Sequence, residues 1–356
     1  MRIGNITVEK GQMLSGVLET ASYYGGIRVA IPFVVIRGVG DGSFLTALAC
    51  QHGRELNGIE AIRQVILKVD PMQLRGCAIF IPCANPLAAR MRQQDYPYEK
   101  GRYLPAAPAF NLNREWPGRA DGTLYQQMAD VMWREGISRS SICIDIHSWS
   151  GRTSSLVWGN ALAQSSGFVG SFGLGIYALN KKPSGSGLLG DACDNAKIHN
   201  ITVELGPQGM LAESSVSAGK RGIMNCMKAL GMIDGELELP ESQIELDASH
   251  TEEHVIKAPF TGLLSSRVQP PALVKQGELF AELVDLDDVT HVFPIVSPFD
   301  GVVFNIGPAW GEECKESCVV DPGEIMAVVK CYSRIIRNQI NNEVTPVQST
   351  NTNGNI

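Results

Sequence analysis

Residues 31–52 have the sequence Ile-Pro-Phe-Val-Val-Ile-Arg-Gly-Val-Gly-Asp-Gly-Ser-Phe-Leu-Thr-Ala-Leu-Ala-Cys-Gln-His. Two apolar runs, 31–36 and 44–49, have the length and composition of buried strands, and the glycines between them predict a turn. The second run leads directly to His52. A histidine placed just after a buried strand indicates a ligand site at the end of that strand, where α/β proteins bind their ligands.

Helix and strand patterns alternate along the chain after this segment. The stretch 58–68 places Ile59, Ile62 and Val65 at helical spacing, and 124–133 has the same period. Short apolar strands are predicted at 77–82, 141–146 and 201–205. This alternation predicts an α/β domain with a largely parallel or mixed sheet.

The composition restricts the classes of function. A chain of 356 residues favours two domains. Its net charge of −7 opposes a nucleic-acid partner, which usually requires a basic surface. No apolar run reaches the roughly 18 residues of a membrane span, and the first residues lack the pattern of a signal peptide. Nine scattered cysteines indicate reduced thiols, so we expect a cytoplasmic protein without a membrane partner.

The composition changes near residue 240. The stretch 240–254 is polar and acidic, which predicts a linker that follows a catalytic domain over 1–245. The end of the chain, 338–356, is rich in Asn, Thr, Gln and Ser and lacks a core pattern. We therefore predict that it is a disordered tail.

Two similar phrases occur between these segments. They are Ala-Pro-Phe-Thr-Gly-Leu-Leu at 258–264 and Ser-Pro-Phe-Asp-Gly-Val-Val at 297–303. Each places proline and glycine around a short β-type run, and neither has a helical period. This internal repeat predicts a small all-β module over 255–332.

His52, His147 and Glu204 lie at or just beyond predicted strand ends, and Glu55 follows His52 by three positions. If a strand gives way to a helix at His52, the side chains of His52 and Glu55 can converge on one ion. Two histidines and one glutamate can hold zinc with one coordination position open. A second glutamate, Glu204, can then take a proton from water as a general base.

Each of these residues alone also has an ordinary structural explanation. His52 and Glu55 are compatible with a polar histidine and a helix amino-terminal acid, and His147 with a core histidine bonded to a backbone carbonyl. Glu204 lies in an apolar strand and needs a partner, which is either a nearby metal or an arginine. Asp145 shares a strand face with His147 and can orient its ring through a hydrogen bond.

Asn113 and Arg114 suggest a binding site for a carboxylate. The planar guanidinium of an arginine matches a carboxylate group, and an amide beside it can hold the second oxygen. This pair indicates a small-molecule substrate with a free carboxyl group, although the pair alone is also compatible with a turn and a solvated arginine.

Together the segments resemble the aspartoacylase and succinylglutamate desuccinylase family, which is related to the zinc carboxypeptidases. The resemblance covers roughly residues 25–335. It implies a carboxypeptidase-like α/β/α domain and a small carboxyl-terminal domain similar to a barrel-sandwich. The residues that carry it are Gly-Val-Gly-Asp-Gly-Ser before His52-Gly53-Arg54-Glu55, then Cys83-Ala84-Asn85-Pro86, Asn111-Leu112-Asn113-Arg114, Asp145-Ile146-His147 and Val203-Glu204-Leu205-Gly206.

The resemblance also implies a reaction and a role for each matched residue. The reaction is the zinc-dependent hydrolysis of the amide bond in a small N-acyl amino acid, with one zinc ion per chain. Arg102, in Gly-Arg-Tyr, matches an arginine that polarises the scissile carbonyl. The other implied roles are metal binding by His52, Glu55 and His147, catalysis by Glu204, and binding of the substrate carboxylate by Asn113 and Arg114.

Two departures from the family pattern carry information. Aspartoacylases have an arginine ten residues before the catalytic glutamate, but this chain has Asp194 there and Asp191 nearby. We therefore expect a substrate whose variable side is neutral or cationic. By the same resemblance, the carboxyl-terminal β module is similar to a lipoyl or biotinyl domain, in which a lysine carries the cofactor. That lysine is missing between the two β phrases, where 285–288 is Asp-Leu-Asp-Asp, so we expect no attached cofactor.

Two other functions remain open at this point. A carboxypeptidase could use the same residues on peptides, and a binding protein could keep the fold without turnover. The sequence does not identify the acyl group or the amino acid, and it leaves open whether the chain forms a homo-oligomer.

Overall fold

The computed structural model describes residues 1–21, 26, 28–96, 111–149, 153–179, 187–247, 253–308 and 318–338. Its helices are α1 (Asn57–Ile66), α2 (Pro86–Met91), α3 (Leu124–Glu135), α4 (Ala161–Ser165), α5 (Phe168–Ser171), α6 (Leu189–Asn195) and α7 (Glu213–Ala229), with single 3-10 turns at Leu112–Arg114 and Ile137–Arg139. None of the helices in these ranges is long and apolar enough to cross a bilayer.

The first part of the chain contains eleven strands within the described residues. They are β1 (Arg2–Ile3), β2 (Ile6–Thr7), β3 (Gln12–Glu19), β4 (Ala30–Arg37), β5 (Gly40–Ala49), β6 (Arg75–Ile81), β7 (Ile142–His147), β8 (Leu156–Gly159), β9 (Ile176–Leu179), β10 (His199–Glu204) and β11 (Ser242–Asp247). The later strands are β12 (Glu253–Lys257), β13 (Gly262–Ser266), β14 (Ala272–Val274), β15 (Leu279–Asp285), β16 (Val292–Val296), β17 (Gly301–Ile306), β18 (Val319–Val320), β19 (Ile325–Lys330) and β20 (Arg334–Arg337).

A ten-stranded sheet forms the centre of the molecule, in the order β20-β11-β9-β8-β10-β7-β5-β6-β4-β3. The pairs β6–β5, β5–β7, β7–β10, β8–β9 and β9–β11 are parallel. The pairs β3–β4, β4–β6, β8–β10 and β11–β20 are antiparallel. The predicted α/β fold is confirmed. The sheet is mixed because β4 is antiparallel to both of its neighbours, β8 is antiparallel to β10, and β20 is antiparallel to β11.

The central strands are buried on both faces. Along β5, Ala47 and Ala49 belong to one hydrophobic cluster with α1 and α7, whereas Leu48 belongs to a second cluster with α3. Successive side chains of a strand point to opposite faces. Strand β5 therefore packs against helices on both sides, and only its ends can carry polar groups into a cleft.

The repeat region forms two four-stranded antiparallel sheets, β12-β19-β17-β14 and β16-β15-β13-β18. They share a hydrophobic cluster that includes Phe280, Leu283 and Val303. The two Pro-Phe-x-Gly phrases form the turns that lead into β13 and β17, at Gly262 and Gly301. That residues 1–245 and 255–332 fold as separate domains stays a prediction.

The prediction of a linker over 240–254 is wrong for residues 242–247. They form β11, which lies between β9 and β20 in the central sheet. The acidic residue that suggested a solvated linker, Glu245, is 6 % exposed, because it accepts hydrogen bonds from Arg334 (2.8 and 3.0 Å) and from the Tyr177 hydroxyl (2.7 Å). Residues 339–356 of the predicted tail lie outside the described residues, whereas Asn338 bonds to the Glu241 and Pro240 carbonyls.

Replacing Glu245 by alanine should destabilise the protein. The change removes a buried carboxylate that joins three strands and leaves the Tyr177 hydroxyl without its acceptor, which costs about 2 kcal/mol of unfolding free energy. Glu253→Ala is the control, because Glu253 is about half exposed (51 %) and pairs with Lys330 at the surface; such pairs contribute about 0–1 kcal/mol. Urea unfolding measures both variants, and equal midpoints would contradict a structural role for Glu245.

Candidate active site

Three neighbouring strands of the central sheet bring the candidate site together. Strands β7 and β10 are parallel, and their last residues, His147 and Glu204, are register partners. Strand β5 lies on the other side of β7 and ends at Ala49, next to Ile146. The turn that follows β5 carries His52. Parallel strands end at the same edge of a sheet, so the side chains that follow them meet there.

Gly53 allows this turn to pack closely on α2. A side chain at Gly53 would collide with the backbone of Ala88, the middle of that helix. The Gly53 N–H donates to the Gln94 carbonyl at 2.9 Å, which fixes the turn against the segment after α2. Glycine at this position therefore lets His52 and Glu55 face the same point, because no other residue fits the space.

His52, Glu55 and His147 form one buried cluster. Nδ1 of His52 lies 2.9 Å from Glu55 Oε1, and Nδ1 of His147 lies 2.9 Å from Glu55 Oε2. Their ligand atoms lie within 4.8 Å of one another, and all three side chains are buried. The structure thus brings together the three residues that the sequence proposed as metal ligands.

The second nitrogen of each ring has its own oxygen acceptor. Nε2–H of His147 donates to Asp145 Oδ2 (3.0 Å), which is the hydrogen bond expected from the strand alternation. Nε2–H of His52 donates to Asn111 Oδ1 (3.0 Å). Carboxylates and amide oxygens only accept, so these contacts place a hydrogen on each Nε2 and leave the Nδ1 lone pairs facing Glu55.

Two supporting residues were missed by sequence reasoning. Asn111 was quoted only as part of a motif, and the side chain of Gln51 was not considered. Gln51 donates to Asp145 Oδ1 (2.8 Å) and accepts from the Trp116 indole (2.8 Å). Both residues adjoin predicted site residues in sequence, but only the folded chain shows which atoms they orient.

The electrostatics of the cluster fit a divalent cation. Burial raises the pKa of Glu55 and lowers that of the two imidazoles, but the ion pairs outweigh burial. The pKa of Glu55 is lowered by His52 and His147, and the pKa of His147 is raised well above its usual range by Asp145 and Glu55. Without an ion, each short Nδ1–carboxylate contact needs a proton. A divalent cation bound here would replace those protons and use all three donors.

Glu204 is buried in the same cleft. Its pKa is raised well above the usual range, first by burial and then by the charges of Glu55 and Asp145, against the opposing effect of His147. The Trp149 side chain, which lines the same cleft, also opposes the rise in the pKa of Glu204. Within the described residues, Oε2 of Glu204 has no hydrogen-bond partner and no arginine forms an ion pair with this carboxylate. The ion pair that the sequence left open is absent from this part of the chain.

The cleft has a volume of about 470 Å³, which suits a small ligand. Asn113 and Arg114 both line it. The guanidinium of Arg114 donates to the Asn113 carbonyl (2.7 Å), while Asn113 Oδ1 accepts the Leu189 N–H (3.2 Å). The predicted carboxylate-binding pair therefore lies beside the metal cluster. Arg102, the proposed carbonyl-polarising residue, lies outside the described residues.

Asp191 and Asp194 also line the cleft, from helix α6. Both are half-buried. The pKa of Asp194 is raised, first by burial and then by the charge of Asp191, although the Ala161 N–H opposes this. The two carboxylates that led us to expect a neutral or cationic substrate side chain therefore lie on the cleft.

The comparison with family models agrees with this site. Residues 42–230 match the succinylglutamate desuccinylase/aspartoacylase catalytic domain. The chain belongs to this family. The match spans β5 to α7 and so includes every proposed site residue. The resemblance inferred from the short segments is confirmed.

Relatives within and near the family cover most of the chain. An N-alpha-acetyl-L-2,4-diaminobutyric acid deacetylase of Halomonas elongata is 28 % identical over 289 residues, 78 % of this chain and 80 % of the relative. Solved structures of the ectoine utilization protein EutE (DoeB) of Ruegeria pomeroyi (21 % identity, TM-score 0.70, 92 % and 98 % of the two chains) and of a succinylglutamate desuccinylase/aspartoacylase of Rhodobacter sphaeroides (24 %, 0.70, 94 % and 100 %) show the shared fold.

Metal binding should depend on His147. We expect His147→Ala to lose most of the divalent metal that elemental analysis finds in the parent, because one of three protein ligands is removed and Glu55 loses its partner. His291→Ala is the control, since that exposed histidine lies between β15 and β16, away from the candidate ligands, and its ring bonds to Asp285. Full metal content in His147→Ala would remove this residue from the site.

Proposed function

We propose that the protein is a zinc-dependent amide hydrolase that removes the acyl group from a small N-acyl amino acid. The observation that carries this proposal is the single cleft that contains three convergent donors, His52, Glu55 and His147, and a buried carboxylate with one unpartnered oxygen, Glu204. Two imidazoles and one carboxylate are a ligand set typical of catalytic zinc, which keeps a coordination position open. The family match and the deacetylase relative support the same reaction.

The residues have the following roles in this proposal. The chemistry that zinc supplies in such a site is a water pKa lowered to about 7 and a polarised carbonyl. Glu204 Oε2 accepts the proton of the attacking water and later returns it to the leaving nitrogen as the C–N bond breaks. The acyl group leaves as a carboxylate and the amino acid as an amine.

Arg114 and Asn113 set the position of the substrate. The guanidinium of Arg114 and the Asn113 amide bind the substrate carboxylate and so place the scissile amide over the metal cluster. Arg102 keeps the role that the family resemblance implies, which is to polarise the scissile carbonyl.

The cleft favours deacylation over the two other functions that the sequence left open. A carboxypeptidase needs room for a peptide on the amino-terminal side of the bond, whereas this cleft of about 470 Å³ suits a small molecule. A binding protein without turnover has no need for Glu204, whose burial is costly. Rates measured with acetylated amino acids, dipeptides and longer peptides distinguish these functions. A deacylase hydrolyses the acetylated amino acids fastest, a carboxypeptidase hydrolyses the peptides fastest, and a binding protein hydrolyses neither.

We further propose that the side chain of the substrate is neutral or cationic. Asp191 and Asp194 face the cleft, where desolvation strengthens electrostatic interactions. A second substrate carboxylate would meet like charge there. An ammonium group would instead offset the burial and the charge of Asp191, which together raise the pKa of Asp194. The Halomonas relative is named for a substrate with a side-chain amino group.

Glu204→Gln should keep the metal and the fold but lose most activity. The two side chains are nearly isosteric, yet an amide cannot accept the proton, so we expect kcat to fall by about 10²–10⁴-fold. The matched control is Glu282→Gln, which removes a surface carboxylate paired with Arg267. Zinc content and deacylation rate are measured for both. A Glu204→Gln enzyme within tenfold of the parent would exclude this residue as the general base.

The substrate preference can be measured directly. We expect kcat/KM for Nα-acetyl-2,4-diaminobutyrate to exceed that for N-acetylaspartate at least tenfold, about 1.4 kcal/mol, with an acetylated neutral amino acid between them. Replacing both Asp191 and Asp194 by asparagine should narrow this ratio. A parent enzyme that prefers N-acetylaspartate would show that a cationic residue of the protein faces the side chain of the substrate. The proposal that Asp191 and Asp194 select against a second carboxylate would then be wrong.

A further inference from the structure

The cleft continues beyond Glu204 along strand β10. Asn200, Thr202 and Glu204 alternate with Ile201 and Val203, which belong to the hydrophobic cluster on the opposite face of the sheet. Side chains two positions apart in a strand point to the same face, and all three polar residues line the cleft. A strand rises about 3.3 Å per residue, so Asn200 lies about 13 Å along β10 from the proposed base. This part of the cleft is therefore available for the portion of a substrate that does not react.

Asn200 offers a buried acceptor at the far end of the cleft. The residue is 1 % exposed, and its Nδ2 donates to the Cys143 carbonyl at 3.2 Å. Because only the nitrogen of an amide can donate, this bond fixes the orientation of the side chain and leaves Oδ1 for other partners. Within the described residues, Oδ1 accepts one hydrogen bond, from the Thr202 hydroxyl, and its length of 3.4 Å exceeds the usual value of about 2.8 Å. The oxygen can thus accept a stronger bond from a ligand.

Helix α6 covers this end of the cleft. Gly190, in its first turn, lies directly over Asn200, because a Cβ atom at position 190 would come within 3.1 Å of Asn200 Oδ1. Asp191 follows Gly190, and Asp194 lies about one helical turn later; all three residues of α6 line the cleft. A ligand group at this end of the cleft is therefore surrounded by the oxygen atoms of an amide, a hydroxyl and two carboxylates.

These oxygen atoms limit the chemistry of the group that fits among them. A primary ammonium group has three N–H donors and no acceptor, so it can bond to several of the oxygens at once. A carboxylate has no donor to offer and meets like charge. An alkyl group leaves the buried amide oxygen and the carboxylates without the water that it displaces, which is also unfavourable. The geometry therefore favours a cation over a neutral side chain.

We propose that the part of the cleft between Thr202 and helix α6 is the subsite for the side chain of the substrate, and that Asn200 is a specificity-determining residue which accepts a hydrogen bond from a terminal ammonium group. The ammonium group also pairs with Asp191 and Asp194. This inference rests on the proposed function and deepens it, because it narrows a neutral or cationic side chain to a cationic one and assigns the neutral oxygen that recognises it.

Binding tests the subsite without turnover. Calorimetry on the zinc-loaded Glu204→Gln variant compares Nα-acetyl-2,4-diaminobutyrate with Nα-acetylnorvaline, in which a methyl group of similar size replaces the ammonium group. The same comparison is made between Nα-acetylornithine and Nα-acetylnorleucine. We expect the ammonium ligand to bind at least about tenfold tighter in one or both pairs, because a site built to accept hydrogen bonds rejects an analogue without donors. Equal or weaker binding of both ammonium ligands would overturn the proposal.

The contribution of Asn200 has a matched control. Asn200→Leu removes the amide oxygen, so we expect the preference for the ammonium ligand to fall to within about threefold. Asn225→Leu removes another buried asparagine, on α7, whose Nδ2 donates to the Glu238 carbonyl at 3.1 Å and which does not line the cleft. Both variants should lose stability, but Asn225→Leu should keep the preference. The same preference in the two variants would reduce Asn200 to a structural residue.

A milder variant tests the same oxygen without removing a buried hydrogen bond. Gly190→Ala places a methyl group against Asn200 Oδ1, and alanine is well tolerated in a helix, so we expect a folded protein that binds the ammonium ligand more weakly. Gly170→Ala is the control, because its Cβ atom would lie at an ordinary 3.8 Å from the Tyr177 ring in helix α5. Unchanged ammonium binding in Gly190→Ala would contradict the role of this oxygen. If the parent enzyme hydrolyses none of the four compounds, the proposed function fails, whereas their binding to the parent still tests the subsite.

Discussion

The structure depends on the burial of charge at the edge of the central sheet. Glu55 lies between two imidazoles and, with Asp145 and Glu204, makes three carboxylates in one desolvated region. Each buried ion costs several kcal/mol unless partners compensate for the lost water. The two histidines supply part of that compensation, and a divalent cation held by His52, Glu55 and His147 would supply more. The surrounding structure serves to hold these few atoms within hydrogen-bonding distance.

Strand register gives the sheet its role in this arrangement. His147 and Glu204 end neighbouring parallel strands in register, and a slip of one residue would turn either side chain to the opposite face. The apolar residues along β5, β7 and β10 oppose such a slip, because each side chain would leave the hydrophobic cluster on its own face of the sheet and point to the other face. The packing of the hydrophobic core thus fixes the relative positions of the site residues. The buried charges at the edge of the core in turn lower the stability of the fold unless they are compensated.

The proposed metal ligands and the proposed general base could be selected from sequence because local chemistry sets them apart. An apolar strand that ends in a histidine, or that contains a lone glutamate, is unusual in any fold. The contacts of Trp149, Asn111 and β20 could not be predicted in this way. They join residues that are distant in sequence, such as Trp149 and Phe304 or Arg334 and Glu245, and no local pattern encodes them. The linker was mispredicted over 242–247 for the same reason, since the partners of Glu245 are 68 and 89 residues away.

The carboxyl-terminal sheets are attached to the central sheet at more than one point. The chain leaves the central sheet after β11 and returns to it as β20, and β11 and β20 are neighbours there. The inserted segment is therefore fixed at both ends. A further attachment joins Thr153 and Ser154 to β17. A second point of attachment restrains rotation about the first, whereas a single tether would leave β17 free to rotate. The aromatic contact between Phe304 and Trp149 adds a third connection between β17 and the residues that follow β7.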